Sequence, residues 1–351
     1  MLSTYASNAI LSKTRAMYGK RLTATNYADL LNCHTVGEIA TYLKHSTNYS
    51  SILADLNESD IHRGQLEIVL RKKLFYDFAK LGRYELSIGE YLSEYIISRS
   101  EIEQIMHSLM LLEAGRSNEY LYAMPVFFNK HTHINLPALA KMKDYDDFLG
   151  ALKNSSYYEL LAPFKPKPGE NMDLTLIETT LYTYLYNTVL GVVRKYTNKT
   201  TQAELNDIFY SHIDLTNFVR LMRLKKYYHA NPNAIRSSLL PFGALKKKHI
   251  EAMIEAKDSD EVLAIMKTTW LGKKIANTEY SYIDKILDKI KFLKCKHNIR
   301  FSVNPPVVML SYIFLTEIEL SNIINIIEGV RYQLPPNEIL KMLVFQKNDI
   351  L

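Results

Sequence analysis

The feature that most constrains this chain is a threefold recurrence of short helical patterns, which keep their order at intervals of 105 to 114 residues. The first pattern has an acid in its opening turn, apolar residues on one face and a closing Lys, and it covers 37–44, 146–153 and 260–267. An acid suits the positive end of a helix dipole, and apolar residues at i and i+4 share a face. Each copy therefore predicts a short amphipathic helix.

Two further patterns follow the first in each cycle. The second joins an apolar residue, an acid and a Leu three positions later, at 66–70, 177–181 and 283–287. The third begins with an acid and continues with helical apolar spacing, which predicts long helices starting at Glu103, Asp214 and Glu319. Any one of these patterns is ordinary amphipathic helix. Three patterns that keep order and spacing through three cycles indicate three diverged copies of one helical unit.

Composition agrees with a helical chain. The 351 residues include only 12 Gly and 11 Pro, whereas a sheet protein of this length needs many tight turns that use these residues. With 47% hydrophobic residues, the chain is long enough for two or three small cores. We therefore predict an all-α fold of three similar helical units, at residues 1–116, 117–228 and 229–351.

The two ends of the chain complement each other in this scheme. The N-terminal helix, predicted around 7–22, has no third-pattern helix before it, and the helix at 316–332 is left over at the other end. Three equivalent units around an axis would bring these helices together and close a ring. We therefore expect helix 316–332 to pack against the N-terminal helix, in a pseudo-threefold funnel with a central cavity.

No segment is predicted to cross a membrane or to direct export. The two longest uncharged apolar stretches, 179–193 and 305–315, are shorter than the roughly 20 residues that a span needs, so both are predicted to be buried helices. The N-terminus lacks the apolar segment and cleavage site of a signal peptide. Cys33 and Cys295 are too few for a disulfide framework and fit a reducing cytosol.

The sequence offers no set of residues for catalysis, for a cofactor or for a metal. His131 and His133 alternate, but they lie in a polar linker without a neighbouring Cys or Asp to complete a metal site. The segments around Gly115 and Gly243 lack the glycine spacing of a phosphate-binding loop. Hydrolase and metalloprotease motifs are also missing. We predict a protein without catalytic, cofactor-binding or metal-binding residues.

Charge and aromatic content are compatible with a protein partner. Two basic clusters, at 220–226 and 246–249, do not extend into a stripe, and the net charge of +6 is low for a nucleic-acid-binding protein. We therefore expect no nucleic acid among the partners, and interpret the clusters as solvated faces or a protein interface. The 25 tyrosines fit either helix packing or a protein interface.

Several segments together resemble a known family. Residues 5–17, 26–31 and 38–49 are similar to the opening of the C subunit of prokaryotic A/V-type (V-type) rotary ATPases, whose eukaryotic counterpart is the d subunit. Residues 319–331, followed by 334–339 with a double Pro and an acidic helix start, are similar to the end of that protein, and 214–223 is the middle counterpart. The resemblance covers nearly the whole chain.

The resemblance implies a fold and a function. It implies a funnel of three helical domains, held peripherally on the cytoplasmic face of a membrane. The funnel would receive central-stalk subunits in its cavity and rest on the membrane rotor ring, transmitting torque for ion transport while ATP chemistry takes place elsewhere. The protein would be non-catalytic, without a cofactor, and present as a monomer within a hetero-oligomeric complex.

Residues for partner binding are assigned by their position on the long helices expected nearest the axis. They are Asn217, Arg220, Arg223, Asn322 and Arg331. The same residues could instead pack helices together, and both interpretations stay open at this point. An alternative function is a generic helical-repeat scaffold for cytosolic protein interactions. That alternative predicts an open superhelix with its two ends far apart.

Overall fold

The computed structural model describes residues 2–58, 61–83, 88–167, 169–274 and 283–345. The described chain is 76% helical and contains no strand, which confirms the all-α prediction. Its first six helices are α1 (Leu2–Gly19), α2 (Ala24–Leu31), α3 (Val36–Ser46), α4 (Ser50–Leu53), α5 (Arg63–Gly82) and α6 (Gly89–Glu113). Short helices thus precede two long consecutive helices.

The same sequence of short and long helices follows twice more. The middle of the chain forms α7 (Tyr120–Ala123), α8 (Leu136–Leu139), α9 (Tyr145–Leu152), α10 (Tyr157–Leu161), α11 (Leu174–Tyr196) and α12 (Lys199–Tyr228). The remainder forms α13 (Pro232–Ser238), α14 (Lys247–Glu255), α15 (Ser259–Thr268), α16 (Ile283–Phe301), α17 (Pro305–Arg331) and α18 (Pro336–Lys341). The long helices are therefore α5 and α6, α11 and α12, and α16 and α17.

The first sequence pattern falls on α3, α9 and α15, and its acid makes the same hydrogen bond in each. Glu38 accepts from the backbone N–H of residue 34, Asp147 from that of residue 143 and Glu261 from that of residue 257, at 2.8 to 3.0 Å. An N-cap side chain completes each start: Thr35, Asp144 and Asp258 accept from the pattern acid's own N–H. These reciprocal capping bonds explain the recurring acid more directly than the helix dipole does.

The third pattern does not begin its helices, and this prediction was wrong. The helices α6, α12 and α17 start 14 or 15 residues before Glu103, Asp214 and Glu319. The last long helix therefore runs over Pro305–Arg331 rather than 316–332, and it includes the stretch 305–315. Acidic side chains can be buried in the middle of these helices because they accept hydrogen bonds from neighbouring segments.

Three buried acids connect the long helices to the segment that leads into the next short helices. On α6 the acid is Glu101, which accepts from the backbone N–H of His133; Glu103 is exposed by comparison, with 42% of its side chain accessible. On α12, Asp214 accepts from the N–H groups of Ala244 and Leu245, at 2.8 and 3.0 Å. In Glu101 and Asp214, the hydrogen bond from the backbone thus spans about thirty residues of sequence.

The third acid makes the equivalent bond between the two ends of the chain. Glu319 on α17 accepts from the N–H of Leu22 at 2.8 Å and from the hydroxyl of Tyr49 at 2.8 Å. Leu22 precedes α2 as Leu245 precedes α14. The N-terminal helix also contacts α17, and Arg15 donates to the carbonyls of Ile299 and Ser302. The N-terminal helix α1 and the last long helix α17 are therefore neighbours.

Among the described residues, buried apolar side chains form three clusters, one of which joins segments near both ends of the chain. That cluster combines residues between Leu22 and Leu70 with residues between Leu320 and Leu343. Another lies within 215–290, and the largest combines 78–213 and Leu240 with 295–315. Helix α17 contributes to two of them.

Helix α17 is long and apolar enough to cross a membrane, but 78% of its most apolar window is buried within the protein, as in the core helix of a folded domain.

Candidate functional site: a cavity between the long helices

A cavity of about 820 Å³ lies between long helices from all parts of the chain. Its wall comes from α5, α6, α12, α16 and α17, together with the segment 122–128. The apolar part of the lining is Ile68, Leu74, Phe75, Ile96, Phe127, Phe128, Leu287, Ile318, Leu320 and Ile324. Tyr122 also lines the cavity and is 84% exposed. The cavity therefore combines an apolar wall with an accessible aromatic side chain.

Glu317 ties three helices together at this wall. Its carboxylate accepts from Arg99 of α6 at 2.8 Å and from Lys291 of α16 at 3.3 Å. Burial raises the pKa of Glu317, but the two cations outweigh this effect and hold the pKa below its usual value. The ammonium of Lys291 also lies 3.9 Å from the centre of the Phe314 ring. These groups form a charged cross-link rather than a reactive site.

A second group of charges lies on α5. Glu67 pairs with Arg63 at 3.1 Å and with Arg71 at 2.9 Å, and Arg63 reaches Glu328 of α17 at 2.6 Å. All of these except Glu328 line the cavity. Because acids and bases pair within the wall, the cavity presents little net charge to a partner.

The imidazole of His212 faces the cavity from α12. Burial lowers the pKa of His212 well below its usual value, and the nearby Lys291 and Arg99 lower it further. The ring is therefore neutral at physiological pH. It lies 6.0 Å from the Phe314 ring, so it contributes to the apolar packing of this wall.

Asn217 and Asn322 occupy equivalent positions and make equivalent hydrogen bonds. The amide of Asn217 exchanges two bonds of 2.9 Å with the backbone of Leu240. The amide of Asn322 exchanges bonds of 2.9 and 2.8 Å with the backbone of Val344. Both side chains are buried, at 8% and 1% exposure. Each amide therefore satisfies the hydrogen-bonding groups of a buried backbone segment of the same chain.

The three predicted arginines differ in their surroundings. Arg220 is half-buried and donates to Glu178 at 2.6 Å and to the Thr179 hydroxyl at 3.1 Å, which joins α12 to α11. Arg223 and Arg331 are exposed; the Arg331 guanidinium lies 3.5 Å from Glu328. Among the residues that the structure describes, none of the five predicted partner-binding residues lines the cavity.

Sequence reasoning missed the residues that form the cavity wall. Arg99, Lys291 and Glu317 come from three distant segments, and nothing in their local pattern distinguishes them from other surface charges. A weak signal existed at Glu317, which interrupts an apolar helix that would otherwise be uncharged from residue 305 to 318. A charge in such a helix requires a partner.

The described residues contain no group of three or more His, Cys, Asp or Glu side chains placed to hold a metal ion. His133 lies beside a carboxylate, with its Nδ1 3.2 Å from Glu101, and its backbone N–H donates to that same side chain. His131 is exposed. The alternating histidines thus belong to the loop that Glu101 anchors to α6.

Comparison with known proteins agrees with the resemblance seen in the sequence. The chain is 24% identical over 344 residues to the C subunit of the A-type ATP synthase of Archaeoglobus fulgidus, covering 95% of each protein. It is 21% identical over 349 residues to the protein of the same name from Methanosphaera stadtmanae, covering 95% of this chain and 86% of that one. A match to the Methanosarcina barkeri protein, at 26% identity, spans 62% of this chain and 58% of that relative.

The match to a family model extends further along the chain than any single segment quoted above. Residues 10–342 match the family described as ATP synthase (C/AC39) subunit. This range includes every wall residue of the cavity and all three buried acids of the long helices. The chain belongs to the ATP synthase (C/AC39) subunit family.

Proposed function

We propose that this protein is a non-catalytic rotor component of a V/A-type rotary ATPase. In this role it couples central-stalk subunits of the soluble sector to the membrane rotor ring and transmits torque for ion transport. It acts as one copy within a hetero-oligomeric complex, peripherally on the cytoplasmic face of the membrane. The relatives named as the C subunit of A-type ATP synthase support the proposal, two of them over nearly the whole chain.

The cavity between the long helices is the observation that carries the proposal. An α-helix with its side chains is about 10 Å wide and rises about 5.4 Å per turn, so that one turn fills about 400 Å³. A cavity of about 820 Å³ has room for about two turns of a stalk helix. Its near-neutral, partly apolar wall suits a helix tip better than a nucleotide or a metal.

Torque transfer also requires a rigid cavity wall. Arg99, Lys291 and Glu317 cross-link α6, α16 and α17, and Arg63 with Glu328 cross-links α5 to α17. A force applied to one helix is therefore passed to the others. Of the five residues assigned from sequence, we propose that Asn217, Asn322 and Arg220 act in helix packing, while the exposed Arg223 and Arg331 contact a partner.

The contact between α1 and α17 favours this function over the helical-repeat scaffold. An open superhelix would separate the first and last helices, since each repeat contacts only its neighbours. Here the two ends share an apolar cluster and the hydrogen bond from Leu22 to Glu319.

A pull-down of the tagged protein from its native membranes tests the proposal. We expect stalk and rotor-ring subunits to be recovered together. Ser321→Trp places an indole in the cavity without removing a charged group, and it should lower the recovery of stalk subunits at least several-fold. Ser51→Trp is the matched control, because Ser51 is exposed on α4. Recovery of nucleic acid, or of neither sector, would contradict the function.

A further inference from the structure

The start of α6, the turn between α11 and α12 and the turn between α16 and α17 lie close together. The rings of Tyr91, at the start of α6, and Tyr196, at the end of α11, stack with centroids 4.8 Å apart. The turn between α16 and α17 meets the start of α12, where Asn304 lies 3.0 Å from the Thr201 hydroxyl and the Ser302 hydroxyl donates to Glu204 at 2.6 Å. We call this surface, formed by Tyr91, residues 194–199 and residues 300–303, the hairpin face.

Apolar and aromatic side chains of the hairpin face are unusually accessible. Phe301 and Val303 are 68% and 74% exposed, and Tyr91 and Tyr196 are each 40% exposed. Phe301 and Val303 lie at the turn between α16 and α17, and Tyr91 stacks on Tyr196, so the four side chains form two exposed pairs rather than one groove of the kind that a bound helix would require. Exposed apolar side chains that are grouped in this way mark a surface that meets a partner or a membrane.

Basic side chains alternate with these apolar ones. Arg194, Lys195, Lys199 and Arg300 are all exposed. No ion pair joins Arg194, Lys199 or Arg300 to another residue of the described chain, and Lys195 lies over the Tyr196 ring at 5.0 Å. Two acids lie beside this face: Glu204 accepts hydrogen bonds from Ser302 and Asn304, and the exposed Glu90 is next to Tyr91. Because the four cations outnumber these two acids, the hairpin face, unlike the cavity, carries a net positive charge.

We infer that the hairpin face binds the anionic headgroup surface of a lipid bilayer. Tyrosine and phenylalanine partition to the headgroup level of a membrane, and lysine and arginine are attracted to anionic lipids there. The combination of exposed apolar pairs with cations that form no ion pair, all on one face, matches such a surface better than it matches a protein groove. This inference goes beyond the proposed function and does not depend on it.

Sedimentation of the purified full chain with vesicles tests the inference. We expect binding to vesicles of phosphatidylcholine mixed with phosphatidylglycerol, little binding to phosphatidylcholine alone, and release at high salt. The double variant Lys195→Glu/Lys199→Glu should weaken binding at least about tenfold. Phe301→Ser should weaken it several-fold, because the apolar anchor is lost while the charge is kept.

The control is Lys247→Glu/Lys248→Glu, which makes the same change of net charge on exposed residues of α14. Equal loss of binding in this control would overturn the inference, because net charge alone would then explain it. Equal binding to both vesicle types, or none to either, would overturn it as well. If the hairpin-face variants lost the rotor ring in the pull-down but no vesicle bound, the face would meet protein instead. In each case, recovery of stalk subunits by the native chain would leave the proposed function standing.

Discussion

At the scale of single residues, buried polar groups in the middle of long helices connect distant parts of this protein. Asp214 is 1% exposed and holds the loop at Ala244 and Leu245. The loop approaches so closely that a Cβ on Gly243, which has φ of +142°, would overlap the Asp214 carboxylate. Glycine is required there for both its backbone angle and its lack of a side chain.

The carboxyl of Asp214 makes stability depend on pH. Burial raises its pKa from 3.8 to about 6, despite two backbone hydrogen bonds. The folded state then holds the proton more tightly than the unfolded chain, so the contribution to stability is full below about pH 4 and is lost as pH rises through about 6. Between about pH 4 and 6, the free energy of unfolding of the native protein should therefore fall by about 3 kcal/mol relative to that of Asp214→Asn.

Thermal unfolding of both proteins at a series of pH values measures this effect. The difference between their unfolding midpoints should grow with rising pH and then level off. A difference that stays constant across the series would show that Asp214 does not titrate in this range.

At the scale of elements, the first sequence pattern is a helix start with a reciprocal cap. The same pair of bonds begins α3, α9 and α15, although the N-cap residue is Thr35 in one and Asp144 or Asp258 in the others. Local bonds of this kind are formed by residues adjacent in sequence. The sequence alone therefore predicted these helix starts. It did not show that the acid accepts a hydrogen bond from the backbone N–H four residues before it.

Removal of one cap should weaken its helix. Thr35→Ala deletes the oxygen that accepts from the N–H of Glu38 at 3.1 Å, which should cost about 1 kcal/mol in the free energy of unfolding. Thr41→Ala makes the same chemical change on an exposed position of the same helix and should stay within about 0.5 kcal/mol. Amide hydrogen exchange in α3 distinguishes them, and faster exchange in both variants alike would argue against a specific cap.

At the scale of the whole molecule, the two ends of the chain close on each other through Glu319. Its bonds to Leu22 and Tyr49 lie between the last long helix and the first short ones. Burial raises the pKa of Glu319 above its usual value, even though these bonds favour the carboxylate. The division into three units around an axis stays a prediction, but this contact is the one that such a closure requires.

Glu319→Met should loosen the closure between the two ends. The thioether matches the length of the glutamate side chain but leaves the buried N–H of Leu22 without its acceptor, at a cost of about 1–3 kcal/mol. We expect a lower thermal midpoint and faster amide exchange at Leu22. Glu338→Met, on the surface of α18, is the control and should change neither. Unchanged exchange at Leu22 in Glu319→Met would mean that apolar packing alone holds the two ends together.

Local patterns were sufficient to determine the all-helical fold and the starts of α3, α9 and α15, because helix periodicity and capping involve residues a few positions apart. Resemblance over the chain's length indicated the family. The starts of α6, α12 and α17 were misplaced because the acids at 214 and 319, and Glu101 in the remaining copy, bond to distant segments rather than to their own helix ends.

Only the tertiary structure decided which residues form the cavity. Asn217 and Asn322 stood out in the sequence, yet their amides are used to hold Leu240 and Val344. Arg99, Lys291 and Glu317 had no shared pattern and met at the wall because three helices converge there. A hydrogen bond or ion pair between distant residues depends on how helices pack, and periodicity within one helix carries no information about that packing.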